Sequence, residues 1–210
     1  MFITIEGMDG SGKTTAIAPI KECLESLGYK VLLTREPGGH KVSEEIRKVI
    51  LADYSEGMHP WTEALLYIAS RKEHIDKVVV PALQQGYVVI SDRFMDSTSA
   101  YQGNARGLGI AKVNEIQEIV LDGCIPDLTI YFDLNMEEAE RRINKRPELK
   151  NRLDRENLDF KLKVKDGYDQ LVKSFPNRIK VIDANLGIEE VQQQTKKIIV
   201  EAIEKWKVQT

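Results

Sequence analysis

The 210-residue sequence is poor in the residues that mark several classes of protein. Its two cysteines, Cys23 and Cys124, lie far apart and form no C-x-x-C pair. That excludes a disulfide framework and a thiolate zinc site, and leaves two buried or half-buried thiols in a reducing compartment. His40, His59 and His74 show no metal-like spacing, so solvated or hydrogen-bonded histidines are expected. No stretch approaches the roughly 20 apolar residues of a membrane helix. A strand-like run begins at residue 2, so no signal peptide is expected and the location is expected to be cytoplasmic. Charge of one sign is not in excess: 30 Lys and Arg face 33 Asp and Glu, a formal net charge of −3. This argues against general affinity for nucleic acid or an anionic membrane. Repeats, low-complexity tracts and domain linkers are also missing. The length and an apolar share of 42% suit one domain with a real core.

What is present fixes the chemistry. Gly7-Met8-Asp9-Gly10-Ser11-Gly12-Lys13-Thr14 matches the phosphate-loop pattern G-x-x-x-x-G-K-[ST] in full, after the apolar run Phe2-Ile3-Thr4-Ile5 and before a helix-like segment. The glycines let the backbone curl so that successive N–H groups face a polyphosphate. Lys13 reaches the β and γ phosphates, Thr14 ligates Mg²⁺, and the following helix points its positive end at the anion. A ligand-free glycine turn is the bland alternative, and the complete motif in its strand-to-helix setting argues against it. Binding of a nucleoside triphosphate is expected, with Thr15 closing the loop.

Near-continuous apolar runs at Phe2 to Ile5, Lys30 to Thr34, Tyr87 to Ser91 and Asp127 to Asp133, and a more polar one at Arg178 to Ile182, read as buried parallel strands. Ile17, Ile20, Leu24 and Leu27 recur at helical spacing up to Gly28, and Val191, Ile198, Ile199, Ala202 and Ile203 form a similar stripe. The alternation predicts βαβ units in a doubly wound α/β sheet, with ligands at the carboxyl ends of the strands. Pro19 breaks a local rule inside the first helix, and a kink or loosened turn is expected there.

A phosphate loop alone serves switches, motors and kinases, so a second site decides. Val88-Val89-Ile90-Ser91-Asp92-Arg93 ends an apolar strand in an acid, the usual place of a carboxylate that holds Mg²⁺ directly or through water. Thr34-Arg35-Glu36-Pro37-Gly38-Gly39 ends the second strand in a turn, and Arg47 and Arg71 follow on helical segments. A single such arginine reads best as a solvated or salt-bridged residue. Several of them near a phosphate loop point to a second phosphate, which guanidinium groups bind bidentately.

These residues carry a resemblance. The chain resembles thymidylate kinases of the bacterial type over essentially its whole length, through Gly7 to Thr15, Thr34 to Gly39, Thr62 to His74, Asp92 to Gly103, Pro126 to Tyr131 and Asn151 to Glu156. The resemblance implies transfer of the γ-phosphoryl group of ATP to dTMP with Mg²⁺, on a five-stranded parallel sheet flanked by helices with a lid. It gives the sugar 3′-hydroxyl to Asp9 and the acceptor phosphate to Arg47 and Arg93. Glu36 joins the dTMP site. Arg71 would donate to the thymine carbonyl, with Thr98 and Gln102 completing the hydrogen bonds of the base. Tyr101 would crowd the ribose 2′ position. The aromatic platform under the base falls on Tyr67 where Phe is usual, and Phe94 stands where Tyr is common.

The base-rich stretch from Arg141 to Arg155 reads, by itself, as a solvated helix face running into a loop. The resemblance makes it a lid at about 142–155 of a single kinase domain spanning 1–210. The phosphate loop has no Arg or Lys among Met8, Asp9, Gly10 and Ser11, so the lid is expected to supply the charge. Arg146 and Arg152 are the expected catalytic arginines, with Arg142 a further candidate. The alternatives are another deoxynucleoside monophosphate kinase, acting on dUMP, and a P-loop switch. Thymine and uracil differ by one methyl, worth about 1–3 kcal/mol, so some dUMP activity is expected. A guanine-reading N-K-x-D motif is missing, since Asn144-Lys145-Arg146-Pro147 lacks the acid. The resemblance also implies a homodimer through packed helices, with the apolar segments Trp61 to Ala69 and Ile110 to Leu121 as the candidates.

Overall fold

The computed structural model describes residues 1–145, 152–153 and 155–209. Its centre is a five-stranded parallel sheet in the order β2-β3-β1-β4-β5, formed by β1 (Phe2–Gly7), β2 (Val31–Arg35), β3 (Val88–Asp92), β4 (Leu128–Asp133) and β5 (Ile179–Asp183). The sequence places each strand within a residue or two of these bounds. β1, β3 and β4 are buried almost throughout, whereas β2 and β5 form the edges and are partly exposed. Edge position explains the polar residues of the fifth run, where Lys180 has one face in solvent.

Helices cover both faces. α1 (Lys13–Ser26) and α9 (Ile188–Gln209) lie on one side, where Ala16, Ile20, Leu24, Ile199 and Ile203 pack on Ile3, Ile5, Ile130 and Phe132. On the other side Phe2, Val89 and Phe94 pack with Ile75 and Val79. There α3 (Pro60–His74) runs through a π-helical turn (Ile75–Val79) into α4 (Val80–Gln84). Among the described residues the remaining α-helices are α2 (Lys41–Leu51), α5 (Met95–Thr98), α6 (Ile110–Leu121), α7 (Met136–Asn144) and α8 (Leu158–Ser174).

Two features of α1 bear on the local expectations. α1 runs unbroken through Pro19, so the structure shows no interruption at that point. Thr15, whose carbonyl loses its partner, is exposed, and Pro19 is half-exposed, so water can serve the orphaned oxygen. Leu27 does not join the inward stripe of that helix; it caps the end and is 51% exposed, while Ala16 takes the inward position.

The strand ends that matter are tied together. Thr34 and Arg35 of β2 lie opposite Ser91 and Asp92 of β3, and Ile5 of β1 lies opposite Asp92. Beyond the ladder, Glu36 N donates to Asp92 O at 2.9 Å and Arg93 N donates to Ile5 O at 2.9 Å.

Candidate active site

The carboxyl ends of β1, β2 and β3 open into a cleft of about 670 Å³. One end is the phosphate loop between β1 and α1, where Gly10 and Gly12 adopt positive φ angles of 80° and 92°. Lys13 is almost completely buried, and its Nζ donates to the Gly7 and Met8 carbonyls, each at 2.9 Å. Burial lowers its pKa, as does the charge of Arg93, while Asp9 and Asp92 oppose the shift. Thr14 and Thr15 are exposed and line the cleft beside it.

Arg93 links this end to the other. It has a left-handed backbone, φ 69°, which turns the chain sharply after β3. Nη2 donates to Asp9 Oδ1 at 2.9 Å and Nη1 donates to Ser97 Oγ at 3.1 Å. Its guanidinium lies 5.4 Å from the centre of the Tyr101 ring. Asp9 also lies 3.9 Å from Lys13 Nζ, so one carboxylate stands between the two cations.

The far end holds the residues expected to read a base. Arg71 on α3 is buried; Nε donates to Glu36 Oε2 at 2.7 Å and Nη2 donates to Thr98 Oγ1 at 3.1 Å. Phe94 lies under it, with the ring centre 5.0 Å from the guanidinium carbon. That packing, in an apolar cluster with Phe2, explains why Phe serves here in place of Tyr: a hydroxyl would need a partner. Tyr67 on the same helix lines the cleft, and burial with the charge of Glu63 raises its phenol pKa. Tyr101 and Gln102 come from a π-helical turn (Ser99–Ala105), and both line the cleft. Arg47 on α2 donates to Pro37 O at 2.8 Å and lines the wall between the two ends.

The basic stretch divides. Arg142 Nε donates to Glu138 at 2.7 Å, Nη1 lies 3.3 Å from Gly10 O, and the side chain lines the cleft with Arg141 and Lys145. Arg152 is not part of the cleft lining: its Nε donates to Ile50 O at 2.6 Å and its Nη2 pairs with Glu63. Arg146 lies outside the described residues.

Sequence reasoning missed several members. Glu6, one residue before the loop, accepts from Phe94 N at 2.7 Å, Ser97 Oγ at 2.6 Å and Tyr168 OH at 2.9 Å. His74 is fully buried between Thr34 Oγ1, 2.6 Å from Nε2, and Glu36 Oε1, 2.8 Å from Nδ1. Half-buried Arg106 pairs with buried Glu63 in a further ion pair. The available signal was the acid preceding the loop glycine, and the i, i+3 spacing that puts Arg71 and His74 on one side of α3.

Whether the residues fit a divalent cation can be tested on their polar atoms. Asp92 Oδ1 and Ser11 Oγ are buried and lack a hydrogen-bond partner among the described residues. A bare carboxylate oxygen beside a phosphate loop fits a magnesium ion shared with phosphate oxygens, since that metal keeps few protein ligands. No cluster of three or more metal-binding side chains occurs among the described residues.

A phosphate loop facing a second, arginine-lined pocket at the carboxyl ends of a parallel sheet defines a P-loop fold of the nucleoside monophosphate kinase kind. The Thymidylate kinase family model matches residues 5–195. The chain is 61% identical over 207 residues to the thymidylate kinase of Mesoplasma florum, covering 99% of this chain and 98% of that one. It is 58% identical over 204 residues to that of Mycoplasma capricolum subsp. capricolum, covering 97% and 96%. The crystal structure of thymidylate kinase from Ehrlichia chaffeensis superposes with a TM-score of 0.77 at 35% identity, over 95% of this chain and 97% of that one. The chain belongs to the thymidylate kinase family.

Proposed function

We propose that this chain transfers the γ-phosphoryl group of ATP to the phosphate of dTMP, giving dTDP and ADP. It is a kinase of nucleotide biosynthesis, and the rival switch and motor readings are not favoured. The observation that carries the reading is the Arg93–Asp9–Lys13 bridge, which joins a triphosphate loop to a base-sized pocket inside one cleft. Acceptor oxygens of a phosphate are already anionic, so no general base has to make a nucleophile. The protein's work is alignment and neutralisation of charge on the moving group.

In this reading Gly7 to Thr15 wrap the ATP phosphates and Lys13 leaves its loop carbonyls for them. Arg93 and Arg47 clamp the acceptor phosphate, and Asp9 holds the sugar 3′-hydroxyl while keeping Arg93 in place. Arg71, Thr98 and Gln102 take the polar edge of the base, Tyr67 supports its face, Tyr101 excludes a 2′-hydroxyl, and Glu36 orients Arg71. Thr14 and Asp92 would hold Mg²⁺, directly or through water, and the ion would neutralise phosphate charge. The segment at about 142–155 acts as the lid of one domain spanning 1–210. Arg142 already reaches the loop; Arg152 acts on phosphate only after leaving Glu63; Arg146 is assigned from the sequence. A homodimer through α3 and α6 belongs to the same reading, supported by Leu65 and Ile119, which are 50% and 81% exposed on those helices. So does a cytoplasmic location, supported by two free thiols.

The test is ADP release from Mg²⁺-ATP with dTMP, dUMP, dCMP, AMP or no acceptor. Turnover should be highest with dTMP, lower with dUMP by about the worth of one methyl, roughly 10- to 200-fold. Acceptor-independent hydrolysis would remove the assignment.

A further inference from the structure

Glu63 has no role in the mechanism above, yet it touches both the base pocket and the basic segment. It lies in the first turn of α3 with its side chain fully shielded from solvent. Oε1 accepts from Gln102 Nε2 at 2.8 Å and from Arg106 Nε at 3.1 Å. Oε2 accepts from Arg106 Nη2 at 3.4 Å and from Arg152. Burial alone would raise its pKa, but the hydrogen bonds from Arg106 and Gln102 and the charges of Arg106 and Arg152 prevail, and the value falls below the ordinary one. The group is therefore a carboxylate at neutral pH.

A carboxylate only accepts. Gln102 must turn its amide nitrogen toward Glu63, and its Oε1 is then the polar end of that amide left for the cleft, which Gln102 lines. Arg71, on the same cleft, has donors alone. The far end thus offers an acceptor together with donors. A pyrimidine with a carbonyl at position 4 beside a ring N–H is the complement of that pattern. A pyrimidine with an amino group there and a bare ring nitrogen is its inverse.

We propose that Glu63 is a positioning residue for substrate choice: by fixing the Gln102 amide it sets the polarity of the base pocket and rejects cytosine. The proposal rests on the dTMP reading and adds to it a residue outside the cleft. The chemistry favours a buried carboxylate for this task, because a neutral amide in its place could donate as well as accept, and Gln102 could then turn over. Arg106 and Arg152 both pair with Glu63, so two cations hold the carboxylate that orients Gln102.

The experiment compares kcat/KM for dTMP and dCMP in the full chain. Glu63→Gln should lower the dTMP-to-dCMP ratio tenfold or more, chiefly through KM for dTMP. The double variant Glu63→Gln with Gln102→Glu reverses the hydrogen bond and again leaves an oxygen for the base, so it should recover most of the ratio. Glu63→Asp keeps the charge that both arginines need and withdraws it by one methylene; it should give an intermediate ratio, and it serves if Glu63→Gln fails to fold. An unchanged ratio in the folded variants, even with a lower thermal midpoint, would overturn the proposal and leave Glu63 a structural ion-pair residue. Failure of the unaltered chain to phosphorylate dTMP would overturn the function itself, and that assay is run first.

Discussion

Glu6 shows what burial does to a single group. Burial pushes its carboxyl up from the ordinary 4.5 to about 7, with the nearby charge of Asp96 adding to the shift. The folded state then holds the proton more tightly than the unfolded chain. Its stabilising contribution is complete below about pH 4.5 and is lost as pH rises through 7. Glu6→Gln, which cannot ionise, should gain in thermal midpoint relative to the parent between pH 5 and pH 8. An equal gap at both values would mean that Glu6 is ionised throughout. Arg93 is the second case. Its fork bonds Asp9 with one nitrogen and Ser97 with the other, which an ammonium cannot copy. Arg93→Lys should lower kcat/KM by roughly 10- to 100-fold, the worth of about 1.5–3 kcal/mol for a charged hydrogen bond. Arg93 was legible in the sequence because it directly follows an apolar strand, and Arg71 because the family resemblance covers its helical segment. Glu63, Arg106 and His74 were not, because a single ionisable residue in a helical segment looks the same whether solvated or buried.

At the scale of the element, the expected strands and the first and last helices were readable from apolar runs and spacing. The two π-helical turns were not: nothing in the composition of Ser99–Ala105 distinguishes it from an ordinary helix, and its wide turn follows from tertiary packing. α8 presses on that turn at Gly167, where a Cβ would lie 2.9 Å from Ala100 Cα and 2.9 Å from Asn104 Cβ. Gly167→Ala should therefore cost about 1–3 kcal/mol by overpacking, read by chemical denaturation. Because Tyr101 and Gln102 ride on the displaced turn, KM for dTMP should rise with it. For the basic segment, Arg152→Ala should reduce kcat by about 10³ if the arginine reaches the phosphoryl group, while KM for dTMP changes little. A variant with near-parental turnover would confine Arg152 to its pairing with Glu63.

At the scale of the molecule, a doubly wound sheet and a phosphate site at its carboxyl edge followed from the βαβ alternation and the loop motif. The strand order did not, because near-continuous apolar runs look alike wherever they stand in the sheet; only the polarity of the edge strand β5 hinted at its place. Association is a whole-molecule property as well. Sedimentation at micromolar concentration should give a dimer, and Leu65→Glu on α3 should shift it to monomer. A monomeric parent protein would count against the α3 and α6 interface.

The stapled strand ends have a consequence for how the protein fails. The amides of Glu36 and Arg93 are bonded across to neighbouring strands at the points where the acceptor pocket and the phosphate loop begin. Each can open to solvent only by parting β3 from a neighbouring strand. Their hydrogens should exchange with deuterium at the slow rate of the innermost strands, and heat should extinguish turnover and the sheet's circular dichroism along one curve. The protein then has no half-working form: at any temperature the population is divided between competent molecules and unfolded ones.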